Sequence, residues 1–132
     1  MCPLRHLPLS CIVVFAVGCG RGGTFEREKR AHVEASREMY EVSWGEPMSS
    51  AAVEESERAF TCVWDALDRN GANPAQELAC STTRIRAAGK CFRERPDPVV
   101  ACRDVFESSC PASEKFRSAA AECKTKDAGP SQ

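Results

Sequence analysis

The sequence predicts an all-α fold: a small disulfide-stapled helical bundle or helical-hairpin array, preceded by an N-terminal charged helix or stalk. Three observations predict it. Apolar residues recur at helical spacing beyond residue 48, and no stretch sustains the period-2 alternation of a half-buried strand. Cap-then-proline punctuation occurs at Asn73-Pro74 and again at Asp97-Pro98. Six cysteines, Cys62, Cys80, Cys91, Cys102, Cys110 and Cys123, are spread over these segments, where they can staple a core too small to hold by itself.

Taken in chain order, residues 1–18 have the layout of an export signal. Arg5 and His6 give a short positive start, Leu9 to Val17 is apolar apart from Ser10, and small residues precede position 19. The apolar run is about half the ~20 residues a membrane-spanning helix needs, and Pro8 shortens it further. Ala16-Val17-Gly18-Cys19 resembles the lipobox of bacterial lipoproteins, with Ala16 where Leu is more usual. The resemblance implies cleavage before Cys19 and its modification with more than one acyl chain, which makes membrane attachment stable where one chain would not. Gly20 in place of Asp implies, on the same resemblance, an outer-membrane destination facing the periplasm or the cell surface. Ala16-Val17-Gly18 also fits ordinary secretory cleavage, which would leave Cys19 unlipidated and the protein secreted.

Gly20 to Thr24 reads as a flexible tether. Residues 25–44 are dense in charge, with Glu26 and Arg30 in the favourable i,i+4 order, and Val33, Met39 and Tyr40 make only a thin apolar stripe. This predicts a solvated helix or partly disordered stalk, ended by Trp44-Gly45-Glu46-Pro47. The organisation is therefore a signal peptide over 1–18, a lipid-proximal tether and charged helix or stalk over 19–47, and a cysteine-rich helical domain over 48–132.

Four helices are predicted in that domain. The first runs from about Ser49 to Arg69, with Glu54 and Glu55 near its start and Asn70-Gly71 as its stop. The next starts at the Asn73 cap, with Pro74 and Gln76 completing a capping-box-like pattern, and ends before Pro96. A third starts at Asp97-Pro98 and ends near Ser109. The last starts around Pro111, carries Lys124 and Lys126 in its final turn and stops by Gly129-Pro130.

The chain has nine cysteines; Cys2 and Cys11 leave with the signal segment and Cys19 is taken by lipid. The remaining six are even in number and exported, so three disulfides are expected, with 15 possible pairings. At ~100° per residue, Val53, Phe60, Val63, Trp64 and Leu67 share one helix face with Cys62 opposite, and Leu78, Ile85 and Phe92 share another with Cys80, Ala87 and Cys91 opposite. In the last two helices the cysteines lie within the apolar stripes. A turn near Asp97 sets Cys91 against Cys102, the preferred pair. The others are left open: Cys62–Cys80 with Cys110–Cys123, or the nested Cys80–Cys110 with Cys62–Cys123. The nested form loosely resembles the helical hairpins of twin-cysteine coiled-coil-helix proteins, although the gaps of ten and seven residues are unmatched here.

Function classes narrow by exclusion. Removing residues 1–18 leaves 17 basic and 19 acidic residues, a balance with no electrostatic case for nucleic acid. The closest cysteine pair is Cys102 and Cys110, too far apart in sequence for a zinc, thioredoxin-type or haem motif, so no metal or cofactor is expected. His32 reads as a solvated helix residue, and no nucleophile elbow, phosphate loop or metalloprotease motif occurs. No catalytic residues are assigned and no enzymatic activity is expected. The expectation is a lipid-anchored structural or interaction module of the bacterial cell envelope, held by membrane lipid through Cys19. Its partner would be an envelope protein, a cell-wall polymer or a small ligand, met by exposed aromatics with Tyr40 and Trp44 as candidates. A secreted cysteine-rich effector or inhibitor is the alternative.

Overall fold

Side-chain caps open three of the helices in the structure, a computed structural model describing residues 22–95 and 101–127. Five helices are described: α1 (Gly22–Trp44), α2 (Ser50–Arg69), α3 (Pro74–Glu94), α4 (Arg103–Ser108) and α5 (Glu114–Asp127), with no strand among the described residues. Ser49 Oγ accepts from the Ala52 amide and Asn73 Oδ1 from the Gln76 amide, each at 3.2 Å, which satisfies an amide that the helix leaves orphaned. Gly71 closes the α2–α3 turn with φ of 69°, a left-handed conformation that glycine adopts without steric cost.

The start of α5 is a correction. Residues 111–113 are not helical, because Ser113 rather than Pro111 supplies the cap. Its Oγ accepts from the Phe116 amide at 3.0 Å and donates to Glu77 Oε2 at 2.9 Å, which ties the start of α5 to the first turn of α3. The expected start at Asp97-Pro98, the stop at Gly129-Pro130, the signal segment and Cys19 lie outside the described residues.

The charged segment is where packing departs most from the sequence expectation. It is a helix, but neither a stalk nor solvated all round. Phe25, Val33 and Ala35 are buried on one side of α1. The Phe25 ring meets Phe60 at 5.5 Å and Trp64 at 5.1 Å, both edge-on, and joins Leu67, Leu78 and Ala119 in one core cluster. Edge-on aromatic pairs add to the stabilisation that burial alone provides. Phe25 lies among charges in the sequence, and its spacing of eight from Val33 is one helical face carried through two turns. Contacts of His32 with Thr82 and of Glu38 with Arg93 show α1 and α3 running in the same direction, while α2 runs against both.

The cysteines pair as the nested set: Cys62–Cys123, Cys80–Cys110 and Cys91–Cys102, with Cα–Cα distances of 5.9, 5.5 and 5.7 Å, inside the range a disulfide requires. The preferred Cys91–Cys102 pair is present, and the Cys62–Cys80 and Cys110–Cys123 alternative is not. Consecutive helices are antiparallel, yet the bridges skip the α2–α3 turn. The chain after Cys102 instead retraces α3 back to Cys80, turns at Pro111, and α5 then runs back along α2. Lys115 Nζ, which donates to the Gly71 carbonyl at 3.4 Å, and the Cys62–Cys123 bridge show that second antiparallel pair.

Three outcomes follow from this packing. Replacing Phe25 with Ala should lower stability by about 3–5 kcal/mol, the usual cost of emptying a buried aromatic site, read as a shift of the denaturant midpoint with disulfides intact. An unchanged midpoint would return α1 to the status of a loose stalk. Removing the outer bridge with Cys62→Ser and Cys123→Ser opens the longest loop, its ends 61 residues apart in sequence, and should cost about 4 kcal/mol. Removing Cys91–Cys102, only 11 apart, should cost about 3 kcal/mol on the same loop-entropy argument.

Candidate functional site

The two aromatics singled out in the sequence come together at the C-terminal end of α1. Tyr40 and Trp44 are one turn apart, and their ring centroids lie 6.2 Å from each other at 38°. Trp44 is 71 % exposed and Tyr40 is half-buried. Gly45, at φ of 71°, reverses the backbone, and its amide bonds the Glu41 carbonyl at 2.8 Å, so the helix ends in a closed turn. The last ties between α1 and α3 come one turn earlier, where Met39 approaches Gly89 and Glu38 faces Arg93. Trp44 therefore projects beyond the packed seam, while its Tyr40 neighbour steadies it from behind. Such a large exposed ring offers contact area at little conformational cost.

Trp64, on the apolar face of α2, packs against the core cluster beside Phe25 and Phe60. His32 is corrected from a solvated position to a packed one. Its ring lies 5.4 Å from Phe60, and its Nδ1 is 3.4 Å from Thr82 Oγ1. The Thr82 hydroxyl also donates to the Leu78 carbonyl at 3.0 Å, so it links the ring to the α3 backbone. Burial pushes the His32 pKa down, because the imidazolium loses hydration.

Arg84 is the residue that sequence reasoning passed over. It is 4 % exposed, the one buried charge among the described residues. Its Nη1 donates to the Cys110 carbonyl at 2.6 Å and lies 3.4 Å from Cys80 Sγ, so it braces the middle disulfide. Its guanidinium sits 4.9 Å from the Phe116 ring centre. Burial works against its charge and the Glu77 carboxylate works for it. The signal was available: Arg84 is one turn from Cys80, on the face that also carries Cys91.

Between α1 and α2 an open hollow of about 580 Å³ is lined by Glu54, Glu57 and Asp65 together with Lys29 and Arg58, a mixed-charge surface above Cys62. Glu122 is held below the usual carboxylate range by the hydrogen bond from Lys126, with the charges of Lys126 and Arg69 adding to it. Among the described residues no group of three His, Cys, Asp or Glu is placed to hold a metal ion, and no helix is long and apolar enough to cross a membrane. No family model matches the chain, and neither a curated protein nor a solved structure is significantly similar to it.

The packing of His32 has a pH consequence. Its folded pKa lies below the unfolded value of about 6.5, so on acidification the unfolded chain takes up the proton first. Stability is unaffected by this residue at high pH and falls as pH drops below about 6.5, by at most about 1.4 kcal/mol per unit. The expected result is a lower thermal midpoint at pH 5.5 than at pH 7.5, with the difference reduced in His32→Gln. Glu122 titrates lower and does not share this window.

Proposed function

We propose that the chain is a lipid-anchored interaction module of the bacterial cell envelope, exported, cut before Cys19 and held at the membrane by that residue. The exposed Trp44 carries the reading. Cys19 stands three residues before the start of α1, within about 11 Å of it at the full reach of the chain. The 23 residues of α1 extend about 33 Å. An anchor at Cys19 thus leaves Trp44 at the far pole of the bundle, turned away from the lipid and toward whatever the envelope presents.

Three nested disulfides favour an oxidising compartment, in keeping with export. The helix that carries Trp44 is packed through Phe25 on a core cross-linked by disulfides, which supports holding an aromatic contact out from a surface. A protein or cell-wall polymer is the partner class such an exposed ring suits, since aromatic anchors concentrate binding energy at interfaces. No catalytic constellation accompanies the ring, and enzymatic activity forms no part of the reading. A secreted effector or inhibitor shares every feature except the state of Cys19.

Two measurements test this. Intact-mass analysis of the chain from its native host should show loss of residues 1–18, an acyl mass on Cys19 and six fewer hydrogens for three disulfides. An unmodified Cys19 would leave the secreted form in its place. Crosslinking in intact cells should recover an enriched partner with the wild type and lose it with Trp44→Ala. That substitution should change stability by no more than about 0.5 kcal/mol, because the ring packs on so little.

A further inference from the structure

A second surface has no part in that reading. A cleft of about 380 Å³ opens between α3, α4 and α5, toward the small end of the range for small-molecule sites. Its walls are apolar, built from Ile85, Phe106, Phe116 and alanines, and every charged residue that lines it is a cation: Arg84, Arg117 and Lys124. The whole chain is near neutral, with 18 basic and 19 acidic residues, so a lining with no carboxylate is a local departure. Phe106 is 41 % exposed at this cleft, a large apolar ring that the protein's own packing leaves uncovered among the described residues.

Arg84 supplies the second observation. Only its Nη1 is engaged by acceptors, the Cys110 carbonyl and Cys80 Sγ. Nε and Nη2 meet no acceptor among the described residues. No side-chain nitrogen or oxygen shut away from solvent lacks a partner there, so the free donors of Arg84 keep access to solvent, and Arg84 lines the cleft. A guanidinium that is largely desolvated, braced by a carbonyl and aromatic rings and still holding unused donors is prepared for an oxyanion. Beside it the apolar walls provide for an alkyl chain, since covering them removes hydrocarbon from water on both partners.

We propose that this cleft binds a single-chain amphiphile with an anionic head, of the fatty-acid carboxylate class. The carboxylate sits on Arg84, flanked by Arg117 and Lys124, and the acyl chain lies along Ile85, Phe106 and Phe116. The site stands whether or not Cys19 is lipidated, because it uses neither the N-terminal segment nor the Trp44 pole.

Calorimetric titration of the full chain, purified with its three disulfides formed, tests this with dodecanoate below its micelle concentration. One dodecanoate should bind per chain, and dodecanol, which keeps the chain and loses the charge, should bind at least tenfold more weakly. Arg117→Glu combined with Lys124→Glu alters exposed positions and should weaken dodecanoate binding tenfold or more with the thermal midpoint preserved. Ala121→Trp, also exposed, should fill the cleft and weaken both ligands. Absence of dodecanoate binding overturns the proposal. So does equal affinity for dodecanol, or a charge-reversed variant that binds dodecanoate as the wild type does.

Discussion

Three nested disulfides force the second half of the chain, α4 and α5, to retrace α3 and α2. With Cys91–Cys102 closed, the segment that follows has only to run back along α3 for Cys110 to meet Cys80. Once Cys110 is held there, the Ser113 cap and its bond to Glu77 start α5 in the direction that brings Cys123 to Cys62. Each bridge shortens the loop that the next must close, so the entropic cost of ordering the unfolded chain is met in steps. The apolar core alone is thin: among the described residues the large apolar side chains at 3 % exposure or less are Phe25, Phe60, Leu67 and Leu78. Covalent loops are what a domain of this size uses when buried area is scarce.

α1 completes what the disulfides leave open. The bridges hold α2 and α3 against α5 and α4 on one side, while the face with Phe60 and Leu67 still needs a cover. Phe25 supplies it, with Val33 and Ala35 buried further along α1, and most of the charges of α1 turn outward. The polar groups caught in this seam are satisfied, as the His32–Thr82–Leu78 chain shows. Arg84 makes the corresponding join on the other side, where one guanidinium braces the Cys80–Cys110 region and faces two phenyl rings. Each seam therefore holds polar contacts that set its register, which hydrophobic contact alone does loosely.

This division of labour leaves two surfaces free of structural duty. The Trp44 pole lies past the last α1–α3 contact, and the cationic cleft lies where the short α4 fails to cover α3 and α5 completely. A six-residue helix cannot roof a groove that a longer one would close. Both surfaces exist because packing ends before the apolar residues do.

The amino-acid sequence alone determined the helical class, the start near Ser49, the cap at Asn73, the stop at Asn70-Gly71 and the even set of six cysteines, since all of these are local chemistry within a few residues. It also narrowed the pairing to the turn-adjacent Cys91–Cys102. It left the other two bridges open, because helical spacing orients a side chain about its own axis and says nothing of which neighbour stands opposite. Phe25 was illegible for a related reason: one aromatic among charges carries no periodic signal, and its burial depends on Phe60 and Trp64, some forty residues away in the chain. Arg84 was marked by its place on the cysteine face, but its role needed the Cys110 carbonyl, brought near only when the chain doubles back. What tertiary structure decided was therefore which faces meet, a matter of long-range contact that no local pattern encodes.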